Sequence, residues 1–245
     1  MSRTREGRAV RYLSNAALAV GMVLFLGGFG LLAVVYQPYA VPTDSMAPSV
    51  AAGDRVLAQR IDGPQVRRGD VVVFREQAWG DLPMIKRVAG VGGDTVACCD
   101  SEGRLTVNGE PVEEPYLDPG WAAATAQEGG FEAKVPDGEL FLLGDQRLDS
   151  LDSRTQLTDS DAGSVPRGAV SARVEATLWP PDRTGLLPRP EGFEDLPGGI
   201  SGTGPLVPLS LAVGAGAVLI VAASVAGPVA RRASRARAGA AREAQ

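Results

Sequence analysis

The chain has 245 residues, a formal net charge of −5, 44% hydrophobic and 22% charged residues. These averages belong to a folded protein, not to a disordered tail or a collagen. There is no histidine, which excludes Ser-His-Asp and Cys-His catalysis and every imidazole metal site.

Residues 1–15 carry Arg3, Arg5, Arg8 and Arg11 against Glu6, a net +3. The 21 residues 16–36 follow without a charge. About 20 apolar residues suffice for a helix to span the hydrocarbon core. A cleaved secretory signal shares the basic start, but its apolar middle is shorter and no second span follows it. A second apolar run covers 206–226 and contains Gly214 and Gly216, which membrane helices tolerate. Arg231, Arg232, Arg235, Arg237 and Arg242 with Glu243 then give +4, leaving −12 for the segment between the runs. Positive flanks stay in the cytoplasm. Both termini are therefore expected inside a cell membrane crossed twice, with residues 37–205 outside.

The outer segment reads as β. Short runs rich in Val, Leu and Thr lie at 71–74, 85–91, 95–99, 105–107, 140–143 and 170–178. Turn signals bound them, among them Gly92-Gly93-Asp94 and Asp137-Gly138. Asn108-Gly109 predicts a two-residue hairpin between 105–107 and the residues after it. Residues 118–134 read as a mobile loop, and the Gly- and Pro-rich stretch 180–208 as a linker back to the membrane. Cys98 and Cys99 are adjacent and are the two cysteines of the chain, so neither a zinc spacing nor a disulfide framework exists. A bond between neighbours closes a strained ring; the reading is two strand residues facing opposite sides. The layout predicted is an N-terminal cytoplasmic segment (1–15), a span (16–36), a β-rich catalytic domain (37–195), a linker (196–205), a span (206–226) and an Arg-rich cytoplasmic tail (227–245).

Without histidine, a hydrolase needs another base. Of 24 basic residues only Lys86 and Lys134 are lysines. A free lysine titrates near 10.4, and burial lowers that by up to several units. Lys86 lies in Pro83-Met84-Ile85-Lys86-Arg87-Val88. On a strand it shares a face with Met84 and Val88, while Ile85 and Arg87 point the other way. A surface lysine lying along apolar neighbours is the alternative. Lys134 sits in a polar, loop-like context. Pro42-Thr43-Asp44-Ser45-Met46-Ala47-Pro48 places a serine between two prolines. A serine becomes a nucleophile when a base takes its proton. The alternative there is a solvated stalk, in which Met46 is out of place. Trp79, Leu82, Pro83 and Met84 suit either a lipid interface or an ordinary core.

These residues carry a resemblance. Ser45-Met46-Ala47-Pro48 and Gly53-Asp54-Arg55-Val56-Leu57 resemble the serine box of bacterial type I signal peptidases and the strand after it. Arg68-Gly69-Asp70 with Val71–Phe74, then Ile85-Lys86-Arg87-Val88 through Asp94, resemble the lysine box. Gly144-Asp145-Gln146-Arg147 through Ser153-Arg154 resembles the last box, with Gln146 where the family usually has asparagine; residues 160–165 match more loosely. The boxes stand in family order over residues 40–178, and the two-span layout is similar to the actinobacterial type.

The resemblance implies a mainly β fold, a signal-peptidase-type antiparallel catalytic domain flanked by two transmembrane helices. It implies a membrane-bound serine endopeptidase that removes signal peptides from exported preproteins. By the same resemblance Ser45 is the nucleophile and Lys86 the general base. The Ser45 N–H and the Thr43 hydroxyl form the oxyanion hole. Ser150 orients the lysine, Asp152 and Arg154 form a supporting ion pair, and Asp145 makes a structural contact. Implied partners are preproteins with small residues at −1 and −3, membrane lipid and the secretion translocon. No cofactor or metal is expected. The run Asp159-Ser160-Asp161-Ala162-Gly163 hints at calcium, but its glycine is early and its twelfth position is Val170, not Glu. The acidic outer segment offers no basic patch for nucleic acid. The self-cleaving repressor proteases share a Ser-Lys pair but not two spans, and sortase chemistry needs histidine. A membrane-tethered β-domain acting as a binding module is the non-enzymatic alternative.

Overall fold

The computed structural model describes residues 3–118, 120–121, 130–158 and 163–243. They form two units, one of two helices and one of β-strands over Tyr36–Gly204. The helices are α1 (Arg3–Val35) and α2 (Leu206–Glu243). Their segments Tyr12–Val35 and Leu206–Val225 have mean hydropathies of 2.5 and 2.3 and are long and apolar enough to cross a membrane. Large apolar side chains such as Leu13, Val23, Phe29 and Leu211 are exposed on them, as a lipid solvent requires. The helices pack closely through small residues. A Cβ on Gly216 would run into the backbone of Gly21 and Phe25, and one on Gly28 into Val213. Such close approach is the usual basis of helix association in lipid. Ser14 Oγ also donates across the pair to the Ala223 carbonyl, 3.0 Å.

The β unit begins at Tyr36, one residue earlier than the apolar run predicts. Tyr36 opens β1 (Tyr36–Ala40), is buried, and donates from its hydroxyl to Glu175, 2.8 Å. The further strands of the large sheet are β2 (Arg55–Arg60), β3 (Val71–Phe74), β4 (Met84–Val91), β9 (Glu139–Leu143), β10 (Val165–Pro166), β11 (Val170–Trp179) and β12 (Gly185–Leu186). Their order is β1-β2-β11-β3-β4-β9-β10, with β12 beside β11. A smaller sheet orders β7 (Glu110–Val112), β6 (Leu105–Val107), β5 (Thr95–Cys98) and β8 (Phe131–Lys134) side by side. Every pairing is antiparallel. The hairpin at Asn108-Gly109 forms as predicted. Val107 pairs with Glu110, and both turn residues have positive φ, 56° and 85°, which a type I′ turn demands and Asn-Gly tolerates.

Alternation along β4 separates two cores. Ile85 packs with Met46, Val50, Val71 and Val73, whereas Met84 and Val88 pack with Val72, Phe74, Leu140 and Leu142. Lys86 lies opposite Val72 and so on the Val88 side, as the period of two predicts. Trp79 joins that second core, edge-on to Phe74 at 5.6 Å, while Leu82 is 70% exposed.

Three expectations are corrected. The stretch 180–208 is not a free linker. Gly185–Leu186 pairs with β11, Phe193 and Leu196 are buried against Val107 and Val112, and Ser201 Oγ donates to Asp70 at 2.8 Å. Its apolar anchors have no regular spacing, so Gly and Pro content masks them. The loop 118–134 yields strand β8 at its end and a buried Trp121 near its start; residues 119 and 122–129 lie outside the described residues. Cys98 and Cys99 are bonded to each other. β5 ends at Cys98, so the alternation that would turn Cys99 to the opposite face no longer applies. The calcium-like residues 159–162, and with them half of the loosely matching 160–165, also lie outside the described residues.

Candidate active site

The loop 41–54 between β1 and β2 is closed on itself. Val41 N–H donates to Asp54 O and Gly53 N–H to Val41 O, both 2.9 Å. Asp44 accepts from Ala52 N–H at 2.8 Å and Asp54 from Ala51 N–H at 2.9 Å. Met46 and Val50 are buried to 1% and 0% and plug the loop into the first core. Met46 therefore belongs to no solvated stalk: it anchors the residue before it, Ser45. Around a half-buried Ser45, Thr43 Oγ1 lies 3.3 Å from Ser45 Oγ.

Lys86 reaches this serine from β4. Its Nζ stands 2.6 Å from Ser45 Oγ. The side chain leaves a central strand among apolar neighbours and is 2% exposed. Burial lowers its ammonium from 10.5 to about 8, against the attraction of Asp152 and, more weakly, Asp145. Desolvation disfavours the charged form, so a fair share of the amine is neutral near pH 8. A neutral amine at hydrogen-bond distance from a hydroxyl is equipped to remove its proton.

The turn after β9 closes the site. Gly144 N–H donates to Asp152 Oδ2 at 3.0 Å, and Gln146 N–H donates to the Ser45 carbonyl at 3.1 Å. A side chain at Gly144 would collide with Ser150 Oγ and with the Ser45 carbonyl, so only glycine leaves room for both. Asp152, fully buried, is held by Arg154 at 2.8 Å and 2.9 Å, the ion pair that the resemblance implies. Among the described residues Ser150 Oγ is buried without a hydrogen-bond partner; its implied bond to the Lys86 amine is not formed. The Gln146 departure costs nothing here, because the contact it makes is through its backbone.

Sequence reasoning missed the partner of Asp145. Arg87, next to Lys86 and pointing oppositely, forks onto Asp145 at 2.8 Å and 2.6 Å and also donates to Gly69 O at 2.9 Å. Both members are buried, 4% and 1% exposed. An arginine inside an apolar strand signals a buried acid, since charges are buried only when paired, but sequence does not name which acid. A second hidden pair, Arg68 with Asp94 at 2.7 Å and 2.5 Å, ties the turn before β3 to the turn after β4.

The chain is similar to known proteins. The family described as signal peptidase, peptidase S26, matches residues 10–179. Signal peptidase I of Mycobacterium tuberculosis is 34% identical over 70% of this chain and 74% of its own. Signal peptidase I of Leptolyngbya laminosa is 31% identical over 74% of this chain and 87% of its own. A crystal structure of a signal peptidase I from Enterococcus faecalis aligns with a TM-score of 0.33 at 26% identity, over 44% of this chain and 94% of that one. The family match spans well over half of the chain, and the chain belongs to the signal peptidase family, peptidase S26, as a serine endopeptidase of signal-peptide processing.

Proposed function

We propose that the peptidase works through Ser45 as nucleophile and Lys86 as general base, at the outer surface of the membrane. The observation that carries the reading is the 2.6 Å approach of a buried lysine amine to a serine hydroxyl held in a plugged loop. The neutral Lys86 amine takes the Ser45 proton. The alkoxide adds to the carbonyl carbon of the last signal-peptide residue. The Ser45 N–H and the Thr43 hydroxyl donate to the developing oxyanion, a contribution of several kcal/mol in sites of this kind. The Lys86 ammonium then gives its proton to the leaving amine, and the acyl-enzyme remains. Water, deprotonated by the same lysine, attacks the ester and frees the signal peptide. Ser150, with its unpaired buried hydroxyl, receives the lysine N–H once the amine has left Ser45. Asp152 with Arg154, and Asp145, hold the surroundings of the amine.

The orientation rests on charge. The +3 and +4 flanks belong inside and the segment of −12 outside. Nine residues separate Ser45 from Tyr36, a reach of at most ~30 Å, which keeps the nucleophile close to where a cleavage site leaves the bilayer. The substrates are preproteins with small residues at −1 and −3, presented beside membrane lipid and the secretion translocon. Cleavage of such a preprotein in lipid, with wild type, Ser45→Ala and Lys86→Ala side by side and the cut mapped by mass, tests the reading. One cut at the signal-peptide junction, lost in both variants, is the expected result. Cleavage that survives either substitution overturns the assignment.

A further inference from the structure

Near the dyad lies a group of buried charges of which its chemistry uses only Asp145. Arg87, Asp145 and Arg147 are 4%, 1% and 3% exposed, and the Glu114 side chain is 3% exposed. Two of these are positive and two negative, so the set is neutral as a whole. Buried ions are costly unless paired; the Arg147–Glu114 pair runs through one short segment after β7, and Glu114 Oε2 and Arg147 Nη1 are buried without a hydrogen-bond partner among the described residues. The Tyr116 ring faces the Arg87 guanidinium, its centroid 4.2 Å from Cζ. The Tyr116 hydroxyl donates to Glu114 Oε1 at 2.6 Å, and Arg147 Nη2 donates to the same oxygen at 2.5 Å. The Trp121 ring covers Arg147, its centroid 4.6 Å from Cζ.

Both arginines grip the turn after β9. Arg147 Nε donates to the Gly144 carbonyl at 3.0 Å, and Arg87 forks onto the Asp145 carboxylate. That turn is the one whose Gln146 N–H holds the Ser45 carbonyl and whose Gly144 N–H holds Asp152. We propose that Tyr116 and Glu114 are positioning residues of the peptidase, clamping Arg87 and Arg147 onto the 144–147 turn and so fixing the charge balance that Lys86 feels. The inference rests on the Ser45–Lys86 reading and extends it to residues that touch neither member of the dyad.

The groups around Lys86 determine what the clamp does. Asp152 and Asp145 attract its ammonium. Arg154 and Arg87 are their counterions. Glu114 and Arg147 stand one shell further out, and Asp44 and Asp149 on the neighbouring loops are exposed. Burial pushes the Tyr116 phenol well above its ordinary range, so it stays neutral throughout the working pH. A loosened Arg87 leaves Asp145 less neutralised, and the carboxylate then favours the lysine ammonium. Loss of the Glu114 charge leaves Arg147 unbalanced, and the surplus positive charge disfavours the ammonium.

The test is the pH profile of kcat/KM for preprotein cleavage by the full chain in detergent, for wild type, Tyr116→Phe, Tyr116→Leu, Glu114→Gln and Lys86→Ala. Tyr116→Leu is expected to move the acid limb up by about half a unit, a rate near pH 7 about threefold lower at unchanged KM. Tyr116→Phe keeps the ring over Arg87 and restores the wild-type limb. Glu114→Gln moves the limb the opposite way. A purely structural role lowers the melting temperature and leaves every limb where it was, and that result overturns the proposal. Should Tyr116→Leu fail to fold, an unmoved limb in Glu114→Gln overturns it equally. Failure of the dyad reading is separately visible, as a wild type without an acid limb or a Lys86→Ala variant that still cleaves.

Discussion

The chain has two lysines, and the structure puts them in opposite circumstances. Lys86 projects from β4, a strand flanked by β3 and β9 in the middle of the large sheet, and is 2% exposed. Lys134 ends β8 at the edge of the small sheet, opposite Thr95, and is exposed. The residue type is the same; the solvent is not. Edge-strand lysines serve to keep a sheet edge soluble. A lysine in mid-sheet has nowhere to place its charge, and the fold lowers its basicity to about 8. Position in the sheet thus decides which of two identical side chains loses its solvent.

The comparison is broken most severely by removing one lysine at a time. Lys86→Ala is expected to lower kcat/KM for preprotein cleavage by about 10⁴-fold, the scale for loss of a member of such a unit. Lys134→Ala should stay within about twofold, and equal losses in the two variants would end the distinction. Next in size is the buried neighbour. Arg87→Met strands the Asp145 carboxylate, 1% exposed, and should destabilise the β unit by about 3–5 kcal/mol; urea unfolding in detergent measures it.

Lys86→Met sharpens the contrast in stability. The native group titrates near 8 and its unfolded counterpart near 10.5. Below 8 both states hold the proton, and the full cost of burying the ammonium is present. Between 8 and 10.5 the unfolded chain binds a proton that the native state lacks, so wild-type stability rises with pH. The methionine variant escapes this cost. It should be more stable than wild type by about 3 kcal/mol at pH 7, an advantage that fades toward pH 10.5. Unfolding midpoints at the two pH values check it. Somewhat smaller is the kinetic counterpart. Cleavage should fall about tenfold per unit below pH 8, roughly a hundredfold by pH 6, and a flat profile there removes the lysine base.

Much of this was legible locally. The two apolar helices, the Asn108-Gly109 hairpin, the side of β4 on which Lys86 lies and the misfit of Met46 in a stalk each depend on a few consecutive residues. The resemblance brought Ser45, Asp152 and Arg154 to one place, and the structure brings them there with Gly144 as the contact point. β1 escaped notice because Pro38 interrupts a run that reads as the tail of a span; as an edge strand it can carry a proline.

Hydropathy, turn chemistry and strand alternation are short-range properties, so the amino-acid sequence by itself determined the two apolar helices, the β class of the unit between them and the candidacy of Ser45 and Lys86. Contacts across 41 residues for the dyad, 58 for Arg87 with Asp145 and 33 for Arg147 with Glu114 have no spacing that encodes them. Only the folded sheets decided those partners, because burying a charge is tolerated wherever the fold happens to supply its opposite. The same folding turned a Gly- and Pro-rich tether into a packed flank and took from one of two lysines the water that would have kept it charged.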